Sequence, residues 1–192
     1  MAFTSSSLDF GTVPVGTNKN IQDTLTNGTA SSVTISSIQG LNGTLQVTGI
    51  SLPLVVPAGQ SSSFNVQFKP NAPGTTSATL SYMGDGGQSL ASLKVVGQAV
   101  AQGQLSANPS SVSFGNVPVG SNAGQSVTLI NSGGENVTIS AATASGNGFS
   151  LSGLTLPLTL SPGASTSFTA KFSPSVAGAV NGTITITSDA SN

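Results

Sequence analysis

The feature that most constrains the fold of this chain is an internal repeat. When the sequence is shifted by 104 residues, residues 1–88 align with residues 105–192 without a gap. A period of about 100 residues is too long for a solenoid unit and is typical of a β-sandwich domain. The sequence therefore predicts two similar domains, at 1–98 and 105–192, joined by a linker at 99–104.

Short segments of alternating apolar and polar residues indicate that both domains are built from strands. Residues 64–69 and 78–83 alternate in the first copy, and their equivalents in the second copy do the same. Asn-Gly, Pro-Gly and Gly-Gly pairs separate such segments, and no segment has a helical period. We expect an all-β fold with about seven short strands per copy in two sheets. The predicted core residues are Phe10, Leu25, Phe64 and Phe68, with Phe114, Leu129, Phe168 and Phe172.

The most similar part of the two copies is "FGTVPVG" at 10–16 and "FGNVPVG" at 114–120. The phenylalanine is predicted to point into the sandwich, and the glycine after it permits a bulge. The proline cannot donate to a ladder, which places this strand at a sheet edge. The motif thus predicts a first strand that bends and changes partner at the edge of the sandwich. Ligand binding by the motif is the less favoured interpretation.

The two copies differ at their ends. After residue 88 the first copy continues with "SLASLKVVGQAV", in which Leu90 to Val96 is the predicted final strand. The second copy ends at Asn192, which aligns with Gln88, so its domain is predicted to lack the last strand and to have an open sheet edge. A continuation of the chain or a strand donated by a neighbouring subunit would close that edge. The continuation is favoured, because the first copy uses its own N-terminal strand.

Together these segments resemble the Hydin-type or ASH domain, whose bacterial versions are often called choice-of-anchor D repeats. The resemblance rests on "LDFGTVPVG", "TLTNGTASSVTIS", "LPLVVPAGQSSSFNVQFKP" and "GTTSATLSYMGDG", and it occurs once per repeat. It implies two tandem immunoglobulin-like sandwiches related to PapD and major sperm protein folds. It also implies no enzymatic activity, and tandem arrays in secreted or surface proteins of bacteria.

The composition includes few side chains that could act in catalysis or bind a metal ion. Charged residues make up 5% of the chain, and His, Cys, Trp and Arg are absent. General acid–base catalysis needs a group that titrates near the working pH, and a nucleophilic serine needs a neighbouring base. We therefore predict no enzyme, and no catalytic, cofactor-binding or metal-binding residue. The carboxylates occur singly along the chain, at Asp9, Asp23, Asp85, Glu135 and Asp189.

Three of these carboxylates suggest specific interpretations. Asp85 and Asp189 occur in predicted loops, where a calcium ligand is conceivable but a turn aspartate that bonds its own backbone is favoured. Asp23 aligns with Val127 on the inward face beside Leu25, where a charge is costly. Either its strand begins later, or Asp23 is an inward charge that prevents edge pairing. Four Asn-x-Ser/Thr sequons are also present, at Asn27, Asn42, Asn136 and Asn181.

Charge and hydropathy narrow the function class. The net charge of −1 provides no basic surface for binding nucleic acid. No apolar run reaches 18 residues, so membrane insertion is not expected. The start of the chain lacks a signal-peptide pattern, yet the inert, hydroxyl-rich composition favours an extracellular or cell-surface protein. We expect a structural repeat of a stalk, filament or array, with further copies or neighbouring subunits as partners. An adhesin or carbohydrate-binding accessory module is the alternative; a PapD-like chaperone would need a basic anchor, and arginine is absent.

Overall fold

The computed structural model describes residues 1–192, which form sixteen β-strands and no helix. No helix is therefore present that could cross a bilayer. The chain divides into two compact units, Met1–Ala101 and Gln102–Asn192, here called domain 1 and domain 2. The last strand of domain 1 extends to Val100, and Ala99 is buried in its core. The linker predicted at 99–104 is therefore shorter than the sequence indicated.

Domain 1 is a sandwich of a four-stranded and a five-stranded sheet. The first sheet has the order β1-β3-β7-β5 and the second the order β2-β9-β8-β4-β6. The strands are β1 (Ala2–Phe3), β2 (Ser7–Pro14), β3 (Lys19–Thr26), β4 (Val33–Gln39), β5 (Leu45–Thr48), β6 (Leu54–Val56), β7 (Ser61–Phe68), β8 (Gly74–Gly84) and β9 (Ser89–Val100).

The core of domain 1 is formed by the alternate residues of both sheets, as the period of two predicts. Phe10, Leu25, Phe64 and Phe68 are all buried, which confirms their assignment as core residues. Edge-to-face and tilted aromatic pairs connect the two sheets; the rings of Phe64 and Tyr82, for example, have centroids 5.4 Å apart.

The opening stretch of domain 1 changes partner as predicted. β1 pairs with β3 in one sheet, and β2 then pairs in parallel with β9 in the other. The register shifts between Asp9 and Thr12, where Gly11 has a φ of 60°. The Asp9 carboxylate accepts a 2.7 Å hydrogen bond from the Gly11 amide and fixes this bulge. β2 with Pro14 is an edge strand of its sheet, so the prediction is confirmed for this copy.

Domain 2 repeats this arrangement with fewer strands. Its sheets have the orders β10-β11-β15-β13 and β14-β12-β16. The strands are β10 (Leu105–Asn108), β11 (Ala123–Asn131), β12 (Val137–Ser145), β13 (Phe149–Ser152), β14 (Leu158–Leu160), β15 (Ser165–Phe172) and β16 (Thr183–Ser188). Among the predicted core residues, Leu129, Phe168 and Phe172 are buried.

The second copy of the opening stretch differs from the prediction. Residues 112–118 form no strand, and Phe114 is only partly buried. β16 has six residues, whereas its counterpart β8 has eleven. Both differences have one physical cause: domain 2 contains no counterpart of β9, so neither segment has the neighbour with which it would pair. The strand assignment for this stretch was wrong because it depends on that neighbour, whereas Phe114 packs against the core of domain 2 but is only partly buried.

Candidate functional site

The structure brings no cluster of potential catalytic or metal-ligating groups together. No three of the aspartates and glutamates lie close enough together to hold a metal ion. That the chain has no catalytic, cofactor-binding or metal-binding residue stays a prediction. The polar groups that are buried or paired have structural surroundings, and they are described first.

Asp85 and Asp189 occupy equivalent positions after β8 and β16 but make different contacts. Asp85 lies exposed in the turn between β8 and β9. The Asp189 carboxylate accepts a 2.7 Å hydrogen bond from the Thr138 amide on β12, and its own amide donates to the Thr138 carbonyl at 3.2 Å. Asp189 therefore extends the pairing of β16 with β12, and the expected bond to its own turn is not the one that forms.

Asp23 is a buried carboxylate in the middle of β3. One of its oxygens accepts hydrogen bonds from the amides of Ser5 at 3.2 Å and Thr24 at 2.8 Å. The other oxygen is buried without a hydrogen-bond partner, as is the hydroxyl of Tyr82. Ser5 lies between β1 and β2, beyond the residues of β1 that pair with β3. The Asp23 carboxylate therefore accepts a backbone hydrogen bond where no neighbouring strand is paired with β3. Since β3 begins at Lys19, the interpretation as an inward charge beside an edge is the one that fits.

Tyr82 is the chain's single tyrosine, and it lies in the core of domain 1. Burial, together with the negative charge of Asp23, raises the pKa of the Tyr82 phenol far above its ordinary value. The phenol therefore remains neutral under physiological conditions. It is not exposed as part of an aromatic platform for sugars.

A buried asparagine in each domain was missed by the sequence reasoning. Asn27 and Asn131 are aligned in the repeat and are completely buried. The Asn27 amide donates to the carbonyls of Ser31 at 2.8 Å and Val56 at 2.9 Å, and the Asn131 amide donates to those of Glu135 and Leu160. Each side chain ties the end of a strand to the loops beside it. The sequence signal for these two residues is an asparagine at the same position of both repeats. At Asn27 the sequence indicated only a turn and a sequon.

The stretches that differ most between the copies, 37–51 and 141–155, contain loops of different length. Five residues, 40–44, separate β4 from β5, whereas three residues, 146–148, separate β12 from β13. The first of these loops contains no aromatic residue. In the second domain the nearby Phe149 points inward and stacks on Phe172, with ring centroids 4.6 Å apart. These loops therefore present no exposed aromatic surface for a ligand.

A groove in domain 2, here called the open groove, opens into the core of that domain. It has a volume of about 320 Å³ and lies between residues 107–114 on one side and residues 182–186 on the other. Its walls and floor are mostly apolar, and they include Val112, Phe114, Leu129, Phe168, Ile184 and Ile186.

The side chains of the open groove are exposed only because a strand is absent. Four of them, Val112, Phe114, Ile184 and Ile186, are partly exposed. Their counterparts in domain 1 are at most 3% exposed, and these are Leu8, Phe10, Leu80 and Tyr82. Two further depressions, of about 570 and 390 Å³, adjoin the groove along residues 112–119 and 176–182.

The polypeptide backbone beside the groove is unpaired on both sides. β16 pairs with β12 on one edge only, because it is the terminal strand of its sheet. Residues 112–118 have no ladder partner at all. Unpaired N–H and C=O groups along an edge form a template for an additional strand. The open groove therefore combines an apolar floor with hydrogen-bonding groups on both of its sides.

Comparison with protein families identifies one match. The sequence model of the ASH family, described as "Abnormal spindle-like microcephaly-assoc'd, ASPM-SPD-2-Hydin", matches residues 2–90 and again residues 99–192. The two matches correspond to the two domains. A search of curated protein sequences finds no match.

Solved structures resemble the chain more distantly. A protein of unknown function from Porphyromonas gingivalis W83 is 15% identical, with a TM-score of 0.43 over 90% of this chain and 83% of that one. The secreted serine protease VesC from Vibrio cholerae is 13% identical, with a TM-score of 0.38; the match covers 94% of this chain and 49% of that one. The YadV chaperone is 8% identical, with a TM-score of 0.36 over 97% and 92% of the two chains. With TM-scores below 0.5, none of these likenesses bears on function.

Proposed function

Because the chain belongs to the ASH family of immunoglobulin-like β-sandwich domains, we propose that it is a structural repeat module of a secreted or cell-surface protein. In this function it spaces or links other domains as part of a stalk, filament or array, and it catalyses no reaction. The observation that carries the proposal is the repetition of one fold twice in a chain that brings no reactive groups together.

The contents of the two sandwiches support a mechanical function. Their interiors are filled by aliphatic and aromatic side chains, and the buried polar residues are Asp23, Asn27 and Asn131. Each of these three side chains bonds to nearby backbone groups. None of these three residues lines the open groove.

The composition supports a location outside the cytoplasm. Charged residues are few and cysteine is absent, so nothing in the chain depends on a reducing environment. Hydroxyl and amide side chains cover the outer faces of the sheets, where cross-strand pairs such as Thr24 with Ser63 are 2.9 Å apart. Further copies of the same repeat are the expected neighbours of such a module.

Labelling of intact cells tests this proposal. An antibody against the 192-residue chain is expected to label unpermeabilised source cells, whereas an antibody against a cytosolic protein of the same cells labels only permeabilised ones. Immuno-electron microscopy should place the label on extended surface structures. Labelling that requires permeabilisation would contradict the surface location. Specific binding on a glycan array would replace the structural function with that of a carbohydrate-binding module.

A further inference from the structure

Asparagine followed directly by glycine occurs four times in the chain, at Asn27, Asn42, Asn147 and Asn181. In such a pair the backbone nitrogen of the glycine can attack the side-chain amide carbon of the asparagine, because glycine has no Cβ that obstructs the approach. Both groups belong to one dipeptide, so the rate depends on how often they reach the geometry of attack. The burial and the hydrogen bonds of each asparagine side chain control that frequency.

The side chain of Asn27 is held in place on all sides. It is completely buried, and its nitrogen donates to the carbonyls of Val56 at 2.9 Å and Pro57 at 3.2 Å. Its oxygen accepts hydrogen bonds from the Thr29 amide at 3.0 Å and the Thr29 hydroxyl at 2.7 Å. Rotation of this side chain toward the Gly28 nitrogen would break these bonds. Asn27 is therefore protected as long as domain 1 is folded.

The side chain of Asn42 is exposed, but it is also fixed. Asn42 lies in the loop between β4 and β5. Its side-chain oxygen accepts hydrogen bonds from the Thr44 amide at 2.9 Å, the Thr44 hydroxyl at 2.8 Å and the Leu45 amide at 3.0 Å. Ring closure onto the Gly43 nitrogen requires rotation about the Cα–Cβ and Cα–C bonds of Asn42, which moves this oxygen away from its donors. The attack is slower because these hydrogen bonds must be broken first.

Asn147 lies in the equivalent loop of domain 2, between β12 and β13, and its side chain is exposed and makes no hydrogen bond within the chain. The hydrogen bond of this turn joins the Phe149 amide to the Gly146 carbonyl at 3.3 Å and leaves the Gly148 nitrogen free. The Gly148 carbonyl accepts a 2.8 Å hydrogen bond from the Ser173 amide, but it belongs to the next peptide unit and does not restrict rotation at Asn147. The flanking glycines have φ values of 103° and 81° and allow the chain to adjust.

From these contacts we infer that Asn147 is a site of spontaneous modification, at which the side-chain amide is converted to a carboxylate. The Gly148 nitrogen forms a bond to the side-chain carbon of Asn147, and the bond from that carbon to Nδ2 breaks. Ammonia leaves with the proton of the Gly148 amide, and one water molecule then opens the cyclic imide. Hydrolysis at the side-chain carbonyl gives aspartate. Hydrolysis at the main-chain carbonyl gives isoaspartate, which carries one extra methylene in the backbone.

The conversion changes the loop between β12 and β13. It adds one negative charge to a chain whose net charge is −1. The isoaspartate product also lengthens the backbone directly before β13, whose first residue, Phe149, stacks on Phe172. Domain 2 therefore acquires a carboxylate in this loop with age, while the equivalent loop of domain 1 changes more slowly. This inference goes beyond the proposed function, because a structural module needs no such modification.

Peptide mapping of the complete 192-residue protein provides the test. The folded protein is incubated in mildly alkaline buffer, and mass spectrometry follows the replacement of amide by acid over time. Trypsin cleaves after lysine but not before proline, and it gives three peptides that contain the pairs: 20–94 with Asn27 and Asn42, 95–171 with Asn147, and 172–192 with Asn181. Fragmentation within each peptide assigns the residue. Protein unfolded in guanidinium chloride is the control, because its Asn-Gly pairs are not restricted by structure.

In the folded protein we expect Asn147 to convert at least about tenfold faster than Asn42, and Asn27 to convert more slowly than either. In the unfolded protein the three rates should be similar. Asn147→Gln should remove most of the conversion from peptide 95–171, because a longer side chain would have to close a larger ring. Thr44→Val removes one donor to the Asn42 oxygen and is expected to accelerate conversion of Asn42 about threefold without changing Asn147.

Three outcomes would overturn the inference. The first is conversion of Asn42 as fast as that of Asn147 in the folded protein, and the second is conversion of Asn147 much more slowly in the folded protein than in the unfolded one. The third is slower conversion of Asn42 in Thr44→Val, which would show that the hydrogen bonds promote the attack. The first two comparisons use the unaltered protein, so a folding defect in a variant does not affect them.

Discussion

The two domains share a repeat, yet only domain 1 has a closed core. In domain 1, β9 lies between β2 and β8, and Phe10, Leu80 and Tyr82 are completely buried. In domain 2 the corresponding strand is absent, and the segment around Phe114 forms no ladder. The presence of β9 thus decides whether the segments on both sides of it form complete strands. A motif that is almost identical in sequence forms a strand in one copy and irregular structure in the other.

The comparison predicts a large difference in local stability. Burial of Leu93 and Val95 contributes about 1.5–3 kcal/mol each, so β9 should stabilise domain 1 by roughly 3–6 kcal/mol relative to domain 2. Native-state hydrogen exchange of the complete chain measures this difference, because the slowest amides of each domain report its opening free energy. Equal opening free energies for β7 and β15 would show that domain 2 is stabilised in some other way.

A matched pair of phenylalanines tests the same contrast at one position. Phe10→Ala removes a completely buried side chain and is expected to cost about 3–5 kcal/mol. Phe114→Ala removes a partly buried side chain and is expected to cost about 1–2 kcal/mol, because less apolar surface is removed from water when this domain folds. The measurement is denaturant unfolding monitored separately for each domain. Costs that agree within error would mean that Phe114 is buried in solution, as it would be with a strand in the groove.

The buried asparagines define what the two domains have in common. Asn27→Ala and Asn131→Ala each leave buried carbonyls without a donor, and each is expected to cost about 2–3 kcal/mol. The two costs should be similar, because neither side chain depends on β9. Asn20→Ala, at an exposed position, is the control and should change stability by less than about 0.5 kcal/mol. A much larger cost in one domain would show that Asn27 and Asn131 do not stabilise their domains equally.

The smallest effect at neutral pH is expected at Tyr82, which aligns with Ile186. Tyr82→Phe removes a buried hydroxyl that has no partner, and it should change stability by less than about 1 kcal/mol at pH 7. The pKa of Tyr82 is higher in the folded chain than its ordinary value of about 10. Above that pH the unfolded chain loses this proton while the folded chain keeps it, so stability falls as pH rises.

Alkaline unfolding therefore separates the two domains. Domain 1 of the unaltered chain should lose stability between about pH 10 and 12, and Tyr82→Phe should reduce that loss. The tyrosinate absorbance should appear only as domain 1 unfolds. Tyrosinate that forms while the β7 amides remain protected would contradict the burial of the phenol. Domain 2 contains no tyrosine and provides the internal reference.

Several features of this protein were predictable from the sequence because they depend on local pattern. Period-two alternation predicted β7, β8 and their counterparts, and the 104-residue offset predicted a division near residue 100. The glycine and proline of the opening motif predicted the bulge and the edge position of β2. These features follow from φ/ψ preferences and from the side-chain period of a strand, which are fixed over a few residues.

Only the tertiary structure decided the features that depend on contacts distant in the sequence. Asn27 resembled an ordinary turn residue, but its amide bonds to the carbonyl of Ser31 in a loop and to that of Val56 at the end of β6. The buried position of Asp23 depends on the point at which the chain leaves β1, through the Ser5 amide. The motif at 114–120 reads almost the same as its first copy, but whether it forms a strand is decided by a parallel partner about 85 residues away. A strand needs a neighbouring strand for its backbone hydrogen bonds, and the local sequence pattern does not predict whether that neighbour is present.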